Sequence, residues 1–141
     1  MKCLSVKQPY ADLILSGRKT IENRHWNAAY RGDLLIHASA NVDAEGCKRL
    51  GIDPAKLAKG AILGKVRMVD VIKYDSLDKF RFLYTKHFAP DAYYDEGKTF
   101  GLVMTQPQRF PKPVLLKGRL GMFEVRLTRT GRIETNAKRQ K

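Results

Sequence analysis

Hydrophobic residues in this chain follow strand spacing and helix spacing by turns, in short pieces, and no internal repeat is present. Cys3–Val6 reads as a strand running straight into a short helix. Pro9 suits the first helical position, where its missing N–H would have no partner. Tyr10, Leu13 and Ile14 then share one face, and Gly17 sits where a left-handed cap is wanted. Leu34–Ala38 holds Leu34, Leu35 and Ile36 together, the signature of a strand covered on both faces. Asn41 or Asp43 can cap a helix carrying Ala44, Cys47 and Leu50, which Gly51 stops. Asp53-Pro54 opens a further turn or short helix, to Lys59.

Ala61–Tyr74 is the longest predicted strand. Val66, Met68, Ile72 and Tyr74 fall on one face and Lys65, Arg67 and Lys73 on the other. The alternation slips over Val69–Val71, where Asp70 breaks the apolar face, and a bulge or barrel corner would account for that. Ser76 caps a helix with Leu77, Phe80, Tyr84 and Phe88 at helical spacing, and residues 90–98 read as loop. Thr99–Thr105 is a strand, followed by a connector punctuated by Pro107, Pro111 and Pro113, which argue for an edge or a crossover. Leu120–Leu127 closes the body with Phe123, Val125 and Leu127 inward. The fold class is therefore α+β, mainly β: a small, mostly antiparallel barrel of about five or six strands with two or three short helices over its openings. One domain spans residues 1–127, and 128–141 reads as a flexible basic tail.

The chain's 141 residues suffice for one domain with a real core, and 43% hydrophobic content excludes a disordered chain. No apolar run approaches the ~18 residues of a membrane helix, and no signal peptide opens the sequence. Two cysteines, Cys3 and Cys47, make no disulfide framework, so a reduced, cytoplasmic setting is the simpler reading. Lys and Arg number 27 against 14 Asp and Glu, a formal charge of +13. Such an excess favours a polyanionic partner, nucleic acid first. The tail supplies only part of it, so the inference rests on the body.

Unusual chemistry concentrates between Cys3 and Ser39. Lys7, Gln8, Lys19, Thr20, Glu22, Arg24, Trp26, Tyr30, Arg31 and Ser39 are the candidate site residues. Lys7, Lys19, Arg24 and Arg31 bracket Trp26 and Tyr30, a pattern suited to phosphate contact, lysine as a point charge and arginine as a fork. Taken singly, each is also an ordinary surface cation. Trp26 and Tyr30 read either as core packing or as stacking platforms for an unstacked base. Glu22 reads as an ion-pair partner of Lys19 or Arg24, as an acceptor for a base amino group, or as a general base beside Lys19. Gln8 with Pro9 starts the helix or offers an amide to a base, and His37 at the end of an apolar strand reads as a buried histidine ahead of a catalyst. No His and Cys spacing suits a metal, and neither a Walker loop nor a dinucleotide fingerprint occurs, so no metal or cofactor is expected.

The segments CLSVKQPYADLILSGRKTIENRHW, YRGDLLIHASA and PKPVLLKGRLGMFEV, in this order, resemble the ASCH domain family, whose fold is similar to the RNA-binding PUA domains. The resemblance implies a cleft between the first helix and the barrel, with the family motif landing on Lys7, Gln8, Lys19, Thr20, Glu22, Arg24, Arg31 and Ser39. It also implies nucleic-acid binding, RNA ahead of DNA, in some members within a transcription or translation complex. A smaller group are N4-acetylcytidine amidohydrolases, and one is a ribonuclease. The amidohydrolases use the equivalent of Lys19 and a threonine three positions on, where this chain carries Glu22. That departure removes the hydroxyl nucleophile. An enzymatic alternative would need Lys19 and Glu22 as an acid–base pair.

Overall fold

The computed structural model describes residues 1–135. Six strands, β1 (Lys2–Gln8), β2 (Ile21–Arg24), β3 (Gly32–Val42), β4 (Ala61–Lys73), β5 (Phe100–Leu115) and β6 (Met122–Glu124), form one sheet in the order β2-β5-β4-β3-β1-β6. Every neighbouring pair is antiparallel except β1 and β3. Four short helices decorate it: α1 (Tyr10–Leu15), α2 (Ala44–Leu50), α3 (Leu77–Phe82) and α4 (Tyr84–His87). The sheet does not close through a backbone ladder. Its margins, β2 on one side and β1 with β6 on the other, are instead bridged by a side chain, the Arg24 guanidinium donating to the Ser5 carbonyl at 2.6 Å.

Local signals explain most elements. The Asp43 carboxylate accepts from the Gly46 N–H at 3.0 Å to start α2, and Gly51 ends it at φ 68°. Leu34 and Ile36 face the main core with Leu4, Val6, Ile14 and Met68, while Leu35 faces a second cluster with Cys3, Ile62 and Val125. The expected two-sided strand is thus present. So is the slip in β4, whose register against β5 shifts between Met68 and Asp70.

Three elements differ from the sequence reading. The helix expected across Leu77–Phe88 is two pieces, broken at Leu83, with Phe88 in the left-handed region at φ 61°. The proline-rich connector is the second half of the 16-residue β5. Past Val103 that strand has β4 on one side and no ladder to β2 on the other, so its prolines sit on an edge where the missing N–H is tolerated. The closing strand is only three residues long, Met122–Glu124 against Lys2–Leu4, and beyond it a turn over Thr128–Arg132 folds Ile133 back onto Leu127. Ile133 packs against the second cluster, so the basic tail expected from 128 begins as a packed turn; residues 136–141 lie outside the described residues.

Candidate functional site

Gly17, at φ 84°, turns the chain out of α1 and sends Lys19 back inward. Lys19 is 3% exposed and Glu22 8%. The Lys19 ammonium donates to the carbonyls of Ile21 and His87, both at 2.6 Å, and pairs with Glu22 Oε1 at 3.1 Å. Three acceptors around one nitrogen require three hydrogens, so the geometry is that of the protonated amine. Burial pulls the lysine below its ordinary range, and Glu22 pushes back. Burial alone would push the Glu22 carboxyl up, but Lys19 and Arg24 outweigh it and hold the group below the usual carboxylate range. Glu22 Oε2 takes the Arg24 fork at 3.0 and 2.9 Å, and Arg24 lies 5.8 Å from the Trp26 ring centre. Lys19, Glu22, Arg24 and Trp26 therefore form one chain of contacts, running from α4 to the Arg24–Ser5 bridge between the sheet's margins.

Next to that bridge, at Ser5, a cleft of about 650 Å³ is lined by Ser5, His37 and Ser39 and by the segment Leu115–Leu120. Ser5 joins the two regions. Its carbonyl accepts from Arg24, its N–H donates to the Gly121 carbonyl at 3.0 Å, and Gly121 lies against Trp26. His37 is 1% exposed and donates from Nε2 to the Leu116 carbonyl at 2.6 Å; Nδ1 has no partner among the described residues. Lys117 and Arg119 stand exposed on the rim, and no acidic side chain among the described residues pairs with either.

The ten candidate residues do not converge on one pocket. Lys19 is sealed, with every ammonium hydrogen committed, so it offers nothing to a phosphate. Gln8 is fully buried: its amide donates to the Ala58 carbonyl and its oxygen accepts the Asp12 N–H, a helix-starting role. Thr20 spends its backbone on Lys86 and Met104. The Tyr30 hydroxyl donates to the Asp33 carbonyl, and Arg31 holds the carbonyls of Ala28 and Tyr30. Lys7 is exposed near Asp43. Trp26 is half-buried against the main core, and Ser39 lines the cleft. Sequence reasoning left the role of Lys117 and Arg119 undecided and missed Ser5. The usable signal was a stretch without a single Asp or Glu, from Gly97 to Phe123, carrying five cations. The Lys65 and Arg67 stripe, by contrast, is spent on Asp33 at 3.5 and 3.3 Å. No three His, Cys, Asp or Glu side chains among the described residues cluster as a metal site.

A sequence model of the ASCH domain matches residues 4–113. Activating signal cointegrator 1 from Homo sapiens is 29% identical over 128 residues, covering 82% of this chain and 21% of that protein. Its Mus musculus counterpart is 27% identical with the same shares, so the chain spans about a fifth of the length of these curated relatives. Among solved structures, an ASCH protein from Zymomonas mobilis superposes with a TM-score of 0.64 at 17% identity, covering 89% of this chain and 87% of that one. A point mutant of it gives 0.64 at 16% identity, with 89% of both chains covered. At such identities the likeness speaks for the fold. No helix among the described residues is long and apolar enough to cross a membrane.

Proposed function

This chain belongs to the ASCH domain family, and on that footing we propose that it is a nucleic-acid-binding domain, RNA ahead of DNA, whose working surface is the cleft over Ser5, His37 and Ser39. The observation that carries the reading is the cleft's rim: its cations, Lys117 and Arg119, stand exposed over Ser5 and Ser39 and have no acidic partner among the described residues. Its volume lies within the ~300–1,000 Å³ of small-molecule sites, room for one nucleotide. Trp26, half-buried beside Gly121 at the end of the segment that covers the cleft, supplies an aromatic edge for an unstacked base, and Arg24 holds the Ser5 carbonyl in place. Phosphate binding thus falls to Lys117 and Arg119, not to Lys19 or Arg24, which the fold already holds. The name cointegrator, borne by the relatives, supports a place in a larger complex.

Fluorescence anisotropy with short labelled RNA and DNA strands tests this. Affinity should fall steeply between about 50 and 200 mM salt. Lys117→Ala with Arg119→Ala should reduce the logarithmic salt slope by roughly 1.5, at ~0.7–0.9 for each phosphate no longer neutralised. An unchanged slope in the double variant overturns the assignment of these cations. Absence of binding at low salt overturns the function.

One observation favours an enzymatic reading. Lys19 and Glu22 meet at 3.1 Å in a buried setting that depresses the lysine, as an acid–base pair requires. Their donors and acceptors are already satisfied by the fold, which places this reading second. Acetate release from N4-acetylcytidine, or cleavage of a short RNA, that disappears in a folded Lys19→Ala variant would establish it; intact substrate retires it.

A further inference from the structure

The segment from Leu116 to Gly121 is held at four points. The Leu116 N–H donates to the Gly60 carbonyl at 3.1 Å, and the Leu116 carbonyl accepts from His37 Nε2 at 2.6 Å. Gly118 lies flat on the imidazole: a Cβ there would stand 2.6 Å from His37 Nδ1. Gly121, at φ 67°, returns the chain to β6 with its carbonyl on the Ser5 N–H. What this brace presents to solvent is Leu120, 98% exposed, beside Leu115 at 75%, both on the cleft mouth with Lys117 and Arg119 between them. An aliphatic side chain that buries nothing adds nothing to the fold, and a floppy loop would have let it turn inward.

We propose that this segment is a wedge for a base-paired nucleic acid: Leu120 enters between two bases, Lys117 and Arg119 hold the flanking phosphates, and the adjoining cleft receives the base that is displaced. The proposal rests on the nucleic-acid reading above. Aliphatic side chains do open base steps in this way, and the new interactions offset the stacking given up. A protein partner would need a contiguous apolar face of several hundred Å², and two exposed leucines with Lys117 and Arg119 between them in the chain fall short of one. A lipid surface would accept the leucine and the cations but has no use for the cleft of about 650 Å³ behind them, which has room for a displaced base. His37 and Gly118 become positioning residues, setting the height at which Leu120 stands.

The test uses RNA duplexes carrying 2-aminopurine, whose emission rises when the base leaves the stack. The wild-type chain should raise emission severalfold on binding. Leu120→Ala should abolish the rise and cost roughly tenfold in duplex affinity, in keeping with the stacking forfeited, while the salt slope keeps its wild-type value. Leu120→Met should restore both. Binding without an emission rise, or a rise that survives in Leu120→Ala, overturns the wedge and leaves the nucleic-acid reading standing. Absence of binding to every strand removes that reading itself. Leu120-dependent binding to anionic lipid vesicles without an emission change overturns the wedge in favour of a membrane surface.

Discussion

Replacing Glu22 by Gln removes the one negative charge that Lys19 and Arg24 share. At an effective dielectric of about 20, the contacts at 3.1 and 2.9 Å are each about 5 kcal/mol of Coulomb attraction, most of which desolvation cancels in the native protein. The variant keeps the desolvation and loses the attraction. Lys19 retains the carbonyls of Ile21 and His87 but becomes a buried ammonium without a counter-charge, and the glutamine NH₂ would point donors at donors. The expected loss is about 3–5 kcal/mol, a large part of a domain's stability. In melting temperature that is about 10–15 °C for a chain of this size. Urea denaturation at neutral pH, with the slope unchanged, measures it. Lys19→Met together with Glu22→Gln should be less damaging than the two singles summed, by about 1–3 kcal/mol, since removing both charges removes the conflict. A loss under about 1 kcal/mol in Glu22→Gln, or strict additivity in the double variant, would refute this account of the triad as a structural lock.

The same carboxyl gives an acid limb. Glu22 titrates below its ordinary 4.5, so the unfolded chain takes up the proton first; its stabilisation is present above about pH 4.5 and is lost as pH falls through the folded value. Denaturation midpoints followed downward from pH 6 should therefore fall less steeply in Glu22→Gln than in wild type. Tyr74→Phe removes a buried 2.7 Å bond to Asn23 Oδ1 beside an Asn23 Nδ2 that has no partner among the described residues, and should cost about 1–3 kcal/mol in the same assay. Gly64→Ala would drive a Cβ into the Gln108 carbonyl and within 2.9 Å of Arg109 Cα, both backbone. β4 and β5 would have to part, so the loss should reach or exceed the ~1–3 kcal/mol of ordinary overpacking, visible as poor soluble yield or a lowered melting point.

Local chemistry was legible in the sequence: the Asp43 cap, the Gly17 and Gly51 turns, the two-sided Leu34–Ile36 run and the β4 slip are each set by neighbours a few residues away. The ion-pair reading of Glu22 was legible too, because Lys19 three positions before it and Arg24 two after it lie within local reach. What was not legible depends on distant chain. Lys19 looks like a surface cation until the His87 carbonyl, 68 residues on, arrives to bury it. Gln8 looks available until Ala58 claims its amide. The prolines of β5 look like strand breakers until the topology leaves that stretch an edge. The cleft is built from β1, β3 and a loop more than seventy positions further on, which spacing alone does not bring together.

The two faces of the central sheet have unequal reserves. The main layer gathers fourteen buried residues, the outer one only Cys3, Leu35, Ile62 and Val125 with partly covered neighbours. The outer layer anchors β6 and the chain on either side of the braced segment, whereas the Lys19–Glu22–Arg24 lock belongs to the heavier side. Thermal opening would then begin by releasing the three-residue β6 and Val125 while the main core stays intact, and amide hydrogens there should exchange before those of β3 and β4. A polyanion gripping Lys117 and Arg119 while its base rests against Trp26 would stitch the thin layer to the thick one, so occupancy itself would slow that exchange.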